Sequence, residues 1–129
     1  MANTNKIRGN SWEYAVRDFL QHFFKKKIIT TREGSKALDN NKIDLMFEDG
    51  TTLPFSPQCK SSISYNWKWL EEMPSNGILF WKRMIKVNTK QKCIGKYVIM
   101  DLETFKSILN RYEGNILDVL GNNSKGSNE

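Results

Sequence analysis

The chain is poor in the residues that build metal staples and covalent cross-links. Its 129 residues include two cysteines and one histidine. Cys59 and Cys93 stand far apart with no CxxC spacing, and His22 is alone. A structural zinc site is thus left without its four soft or imidazole ligands. Two distant thiols do not make a disulfide scaffold either, which points to a reducing, cytoplasmic setting. There is no repeat, no linker rich in proline or glycine, and no apolar run near the ~20 residues of a membrane span. The first ten residues are polar and lack the apolar segment of a secretory signal.

What remains is an ordinary core-forming composition with a basic excess. Hydrophobic residues make up 39%, enough for one packed domain without staples. The net charge of +6 favours a polyanionic partner, nucleic acid first, although many basic proteins bind none. Residues 1–8 read as a flexible leader, 9–120 as the single domain, and 121–129 (GNNSKGSNE) as a disordered tail.

Trp12, Ala15, Val16, Phe19, Leu20 and Phe23 recur at helical spacing, so a first helix is expected over Ser11–Lys25, capped by Asn10 or Ser11. Ile28–Arg32 is a short strand candidate, and Glu33-Gly34-Ser35 a turn. Ile43–Phe47 reads as a compact strand, with Asp49-Gly50 as a hairpin signal and a second hairpin strand reaching Lys60. Ile63, Trp67, Leu70 and Met73 mark an amphipathic helix ended by Pro74. Ile78–Val87 and Lys96–Met100 are further strands, and a last helix runs from Leu102 to Tyr112, continuing towards Leu120. The order predicts an α/β domain with a central sheet flanked by helices.

Four side chains invite a chemical reading. Asp44 interrupts the apolar run 43–47, and alternation puts it opposite Ile43, Leu45 and Phe47. A carboxylate there needs water, a partner or a metal, and a sheet edge in water is the plain alternative. Gln58 and Lys60 are two apart and leave one face of the next strand. An amide oxygen can ligate a metal and an ammonium can hold a phosphate, yet an ordinary exposed strand face gives the same pattern. Glu13 falls at the margin of the first helix's apolar stripe, where it can reach a site at the core's edge. It can also pair with Arg17 at i,i+4 or complete a capping box with Asn10.

Taken together, an acid on a leading helix, an acid at a strand start and Gln58-Cys59-Lys60 on the following strand resemble the PD-(D/E)xK nuclease superfamily. Within it, the short chain and Arg32-Glu33-Gly34-Ser35 are similar to the archaeal and viral Holliday junction resolvases. The resemblance covers roughly residues 8–62 and then the element order. It implies a restriction-endonuclease-like, mixed five-stranded central sheet flanked by helices. It also implies hydrolysis of DNA phosphodiester bonds with Mg²⁺, or Mn²⁺ in its place. Asp44 would be the principal metal ligand, joined by Gln58, where the family usually has Glu, and by the backbone carbonyl of Cys59. Lys60 would orient water or stabilise charge at phosphorus, Glu13 would assist the metal, and Ser35 would contact the scissile region. A homodimer nicking a four-way or branched junction is the implied assembly, with phosphate contacts from Arg8, Lys25, Lys26, Lys27, Arg32, Ser35, Lys36 and Lys42. Lys82, Arg83 and Lys86 are further candidates. High Lys and Asn content in a short chain would suit an AT-rich viral genome.

Two rivals remain. One is a restriction-like or repair nuclease acting on duplex or single-stranded DNA. The other is a catalytically silent DNA-binding or protein-interaction module on the same fold. The site also carries a geometric condition: a two-residue turn at Asp49-Gly50 would set Asp44 against Phe55, so a longer turn or a bulge is needed to bring it to Gln58.

Overall fold

The structure, a computed structural model, describes residues 4–111, with side chains from Asn10 onward. The expected tail and the continuation towards Leu120 lie outside the described residues, as do residues 1–3 of the expected leader.

Helix α1 spans Thr4–Phe24, so residues 4–8 belong to it and not to a loose leader. Asn10 and Ser11 lie inside the helix and do not cap it. The Asn10 side-chain oxygen instead accepts from the Arg32 guanidinium at 2.7 Å. Trp12, Val16 and Leu20 form the buried face, while Phe19 and Phe23 are 64% and 61% exposed. The apolar stripe is therefore split: its i,i+4 row enters the core and its i+3 neighbours flank it. His22 is exposed.

Strand β1 (Ile28–Thr30) pairs antiparallel with β2 (Leu45–Phe47). Between them lie two short helices, α2 (Thr31–Gly34) and α3 (Lys36–Asn40). The strand expected to reach Arg32 ends at Thr30, and the expected turn is part of α2. Gly34 permits this: a Cβ there would lie 2.6 Å from Ile29 Cδ1 and 2.8 Å from Met46 Sδ, so α2 closes tightly onto the hairpin. Ser35 caps α3 through Oγ, which accepts from Leu38 N–H at 3.3 Å.

Strand β3 (Ser56–Ser62) runs parallel to β4 (Gly77–Val87), which pairs antiparallel with β5 (Lys90–Ile99). The β3–β4 crossover holds only one helical turn, α4 (Lys68–Glu71), not the longer helix expected over 63–73. There the Tyr65 ring stacks edge-on against Trp67, Trp69 and Trp81, and these aromatic contacts organise the segment in place of helical periodicity. Helix α5 (Leu102–Arg111) follows β5, with Asp101 Oδ1 accepting from Thr104 N–H at 2.7 Å.

The domain is mixed α/β, but the five strands divide into a two-stranded ladder, β1-β2, and a three-stranded one, β3-β4-β5. The physical reason lies in the β2–β3 connection. Pro57 has no N–H to give to a ladder, and residues 51–55 are not strand. One main-chain bond, Asp44 N–H to Pro57 O at 2.8 Å, links the two ladders. The core lies between α1 and the sheets and contains Trp12, Val16, Leu20, Ile28, Leu45, Phe47, Leu53, Ile78 and Phe80. Among the described residues, no helix is long and apolar enough to cross a membrane.

Trp12 ties α1 to the larger sheet, donating from Nε1 to Phe80 O at 2.8 Å while 7% exposed. Replacing it by Phe removes this hydrogen bond and some buried ring surface, so Trp12→Phe is expected to destabilise by about 1 kcal/mol. Urea unfolding with an unchanged slope and a lower midpoint is the expected readout; an unchanged midpoint would show that the bond is energetically neutral.

Candidate active site

Asp44 immediately precedes β2 and is held from three directions. Its carbonyl accepts from Thr31 N–H at 2.9 Å, its N–H donates to Pro57 O, and its carboxylate Oδ2 accepts from Cys59 N–H at 2.7 Å. The contacts at Pro57 and Cys59 bracket Gln58, so Asp44 stands alongside Gln58 and the geometric condition is met. The means is a long connection: Phe47 N–H bonds Thr51 O, Gly50 takes φ +92°, and β3 begins only at Ser56.

Alternation along β3 then sorts its side chains. Cys59 packs against the core beneath α1, while Gln58 and Lys60 leave the opposite face. Gln58 is buried at 4% exposure, and its Oε1 finds no hydrogen-bond partner. An unpaired buried amide oxygen costs about 1–3 kcal/mol. Lys60 is half-buried, with Nζ 5.8 Å from the centroid of the Trp69 ring.

Glu13 reaches the same neighbourhood from α1. Its Oε2 pairs with Arg32 at 3.0 Å, and neither the Arg17 pair nor the capping box forms; Arg17 pairs with Asp18 instead. Burial and the nearby Asp44 charge push Glu13 up to about 7, against the pull of Arg32. Burial likewise raises Asp44, opposed by the Cys59 N–H and by Lys60. The Cys59 thiol is pushed well above its ordinary range by burial and by the charges of Asp44 and Glu13, so it stays protonated and unreactive. Asp44 thus stands between the Glu13–Arg32 pair on one side and the β3 segment Gln58-Cys59-Lys60 on the other.

Asp39 is a member that sequence reasoning missed. Its charge acts on both Glu13 and Asp44, and its Oδ1 lies 3.4 Å from Thr31 Oγ1. An acid on a five-residue helix carries no periodic signal, and only the fold-back of α2 and α3 brings it near. Ser35 is half-buried and engaged as the α3 cap.

The expected phosphate-binding lysines behave differently from one another. Lys26 bonds Asp49 at 2.6 Å, sits over the Phe47 ring and donates to Thr51; Lys27 pairs with Glu48 at 2.9 Å. These two brace the turn after β2, and Lys26 and Thr51 hold the Asp49 carboxyl well below the usual range. Lys25, Lys36 and Lys42 are exposed, and Arg8 lies in α1 with its side chain outside those described.

Among the described residues, no three of His, Cys, Asp and Glu converge as a ready ligand set. The donors present are hard oxygens: the Glu13 and Asp44 carboxylates, made reluctant to ionise by burial and by neighbouring acids, and an amide oxygen with no partner. That set suits Mg²⁺ or Mn²⁺ and not a soft metal. Comparison with protein-family models, curated proteins and solved structures found no match to this chain.

The Glu13 shift fixes a sign for stability. Its folded value is raised from 4.5 to about 7, so the folded state holds a proton that the unfolded state has released between those values. The resulting penalty is absent below about pH 4.5 and complete above about pH 7. In the presence of chelator, Glu13→Gln is therefore expected to be more stable than the parent near pH 8, by on the order of 2 kcal/mol. Thermal melts should show the advantage shrinking to nothing as the pH falls through this window. A Glu13→Gln deficit that is the same at every pH would instead make the Arg32 pair the dominant contribution.

Proposed function

We propose that the chain is a metal-dependent DNA endonuclease of the PD-(D/E)xK type, on a restriction-endonuclease-like fold whose five strands split at Asp44. The observation that carries this reading is the pinning of Asp44 to the Pro57 and Cys59 main chain, which sets its carboxylate beside the strand segment bearing the unpartnered Gln58 amide and Lys60, with its charge also acting on Glu13. These are the residues that the resemblance selects, and they come from separate elements: α1, the start of β2, and β3. Asp44, Gln58, Glu13 and the Cys59 carbonyl would hold Mg²⁺ or Mn²⁺. Bound there, such an ion supplies charge stabilisation at phosphorus and a more acidic water.

The chain's own groups have definable tasks. Asp44 brings the negative charge that recruits a cation, and the Cys59 N–H fixes its orientation. Gln58 offers a neutral oxygen, which makes cation binding weaker than with Glu and increases the dependence on Glu13. Lys60 donates to the attacking water or to a phosphate oxygen from the side opposite α1. Arg32, clamped by Glu13 and Asn10, presents its remaining guanidinium donors to a phosphate.

The branched-DNA preference and a homodimer extend this reading: two symmetric nicks on a four-way junction call for two sites related by a two-fold axis. The silent-module rival predicts Asp44 neutralised by Lys60. Among the described residues these two form no ion pair within 4.0 Å, which favours the enzyme.

The test is cleavage of a labelled four-way junction and a matched linear duplex, with Mg²⁺ and with chelator. Paired nicks on the junction are expected, abolished by chelator. Asp44→Asn and Lys60→Ala should each lower the rate by at least about 100-fold. Equal cutting of both substrates would retain the nuclease and discard the junction preference. Salt-dependent binding without cutting by folded protein would make it a silent DNA-binding module.

A further inference from the structure

The basic excess of this chain is concentrated in one piece of architecture. Residues 73–100 contain Lys82, Arg83, Lys86, Lys90, Lys92 and Lys96 and no acidic residue, leaving 14 basic and 14 acidic residues elsewhere. The whole net charge of +6 therefore belongs to β4, β5 and their turn.

The geometry makes this stretch a projecting arm. β3 accompanies β4 only as far as the Ser62–Arg83 row. From Met84 onward β4 has, among the described residues, β5 as its sole partner, through Met84–Cys93, Ile85–Lys92, Lys86–Gln91 and Val87–Lys90. A register shift between Arg83 and Met84 marks where the arm leaves the sheet, and such bulges bend and twist a ribbon. The tip is a tight turn with Asn88 at φ 58°, which keeps the two strands paired to the end. Lys86, Lys90 and Lys92 are exposed, and among the described residues none of the six cations has an ion-pair partner. Their state contrasts with that of Lys26 and Lys27, whose charges are already matched by Asp49 and Glu48.

We propose that the β4–β5 ribbon is a DNA-binding arm that lies along duplex DNA flanking the candidate active site and contacts phosphates through Lys86, Lys90 and Lys92. The inference rests on the nuclease reading for its choice of polyanion. Two features support duplex DNA as the occupant. A two-stranded ribbon fits a major groove of about 12 Å width. β3 and β4 are also parallel, so the arm extends from the end of the sheet towards which Lys60 lies: Lys60 is in register with Trp81, six residues before Val87, or about 20 Å from the tip. That reach covers about six base pairs, at 3.4 Å each, beyond a phosphate held at Lys60. The unpaired arm, not the braced Lys26–Lys27 pair, supplies the main electrostatic track.

The experiment measures binding separately from cutting. Fluorescence anisotropy with a short labelled duplex, in chelator, gives the dissociation constant across roughly 50–200 mM salt. Full-length protein is compared with Lys86→Gln/Lys90→Gln/Lys92→Gln, with the same three positions changed to Arg, and with Lys106→Gln as a single-charge control on α5. Each lost phosphate contact lowers the log–log salt slope by about 0.9, so the triple Gln variant should lose about 2 to 3 in slope and bind roughly 10- to 100-fold more weakly near 100 mM salt. The Arg variant should restore both, and Lys106→Gln should change neither. Circular dichroism and melting confirm that the Gln variant is folded. A folded Gln variant with an unchanged slope overturns the arm. So does a loss confined to anionic lipid vesicles with DNA binding intact, which would give the ribbon to a membrane surface. Failure of the nuclease reading is recognisable independently: parent protein that binds through the arm but never cuts with Mg²⁺ retains the arm and removes the enzyme.

Discussion

The bond between the Asp44 carboxylate and the Cys59 N–H is the constraint on which the site depends. Two ladders meet here without forming a continuous sheet, and only one main-chain bond crosses between them. A divergence of strands leaves main-chain donors unpaired, and a buried N–H is expensive to abandon. Asp44 resolves this by substituting a side-chain oxygen for the missing main-chain acceptor. The same residue that closes the gap also carries the charge, so a substitution that removes the side-chain oxygen disturbs the structural join and the candidate chemistry together. Asparagine retains an oxygen acceptor at this position while removing the charge, which makes it the informative replacement.

Around that join the sequence places charges that are individually unfavourable. Glu13, Asp39 and Asp44 repel one another, and burial adds to the cost for Glu13 and Asp44. Arg32 and Lys60 offset part of this, Arg32 by direct pairing with Glu13 and Lys60 through a longer-range field. The unpartnered Gln58 oxygen adds a further deficit. The unmet polar demand here lies beside a cluster of buried hydrophobic side chains. Perturbed acids clustered beside a lysine are a pattern that functional sites and structural ion-pair networks share.

How far the sequence revealed this can be argued residue by residue. The mixed α/β class followed from the order of the elements, and β4 and the start of α5 lie within a residue of expectation, β4 because it is rich in aromatic and branched residues, whereas β5 begins at Lys90, six residues before the expected Lys96. Asp44, Gln58 and Lys60 were legible because a polar residue in an apolar strand is costly and a two-residue spacing fixes a shared face. Their union was not legible, since it rests on the length of the Glu48–Phe55 connection. The start of α1 was misread because Asn10 resembles a cap, while its side chain is recruited by Arg32 from 22 positions away. The same long-range pairing replaced the local Glu13–Arg17 pair. Asp39 and the α2–α3 fold-back had no signal at all: short helices are decided by tertiary contacts such as the closure at Gly34, not by propensity.

The parallel pairing of β3 with β4 connects the two functional proposals. A parallel crossover brings the C-terminal ends of both strands to one edge of the sheet, so Lys60 and the root of the ribbon share a side. Had β4 run antiparallel to β3, the basic arm would have projected from the opposite end and left the site without a nearby track. The register also explains the aromatic content of this edge. Trp81 lies between Lys60 on β3 and Tyr97 on β5, and Trp69 and Tyr65 pack against it. These rings provide a rigid apolar floor beneath Lys60, which restrains its alkyl chain while leaving its ammonium near a carboxylate that it does not neutralise by contact. In the proposed nuclease, a lysine held in that way would keep its donors available to an incoming phosphate, and the ribbon beyond it would supply the field that draws the anion in.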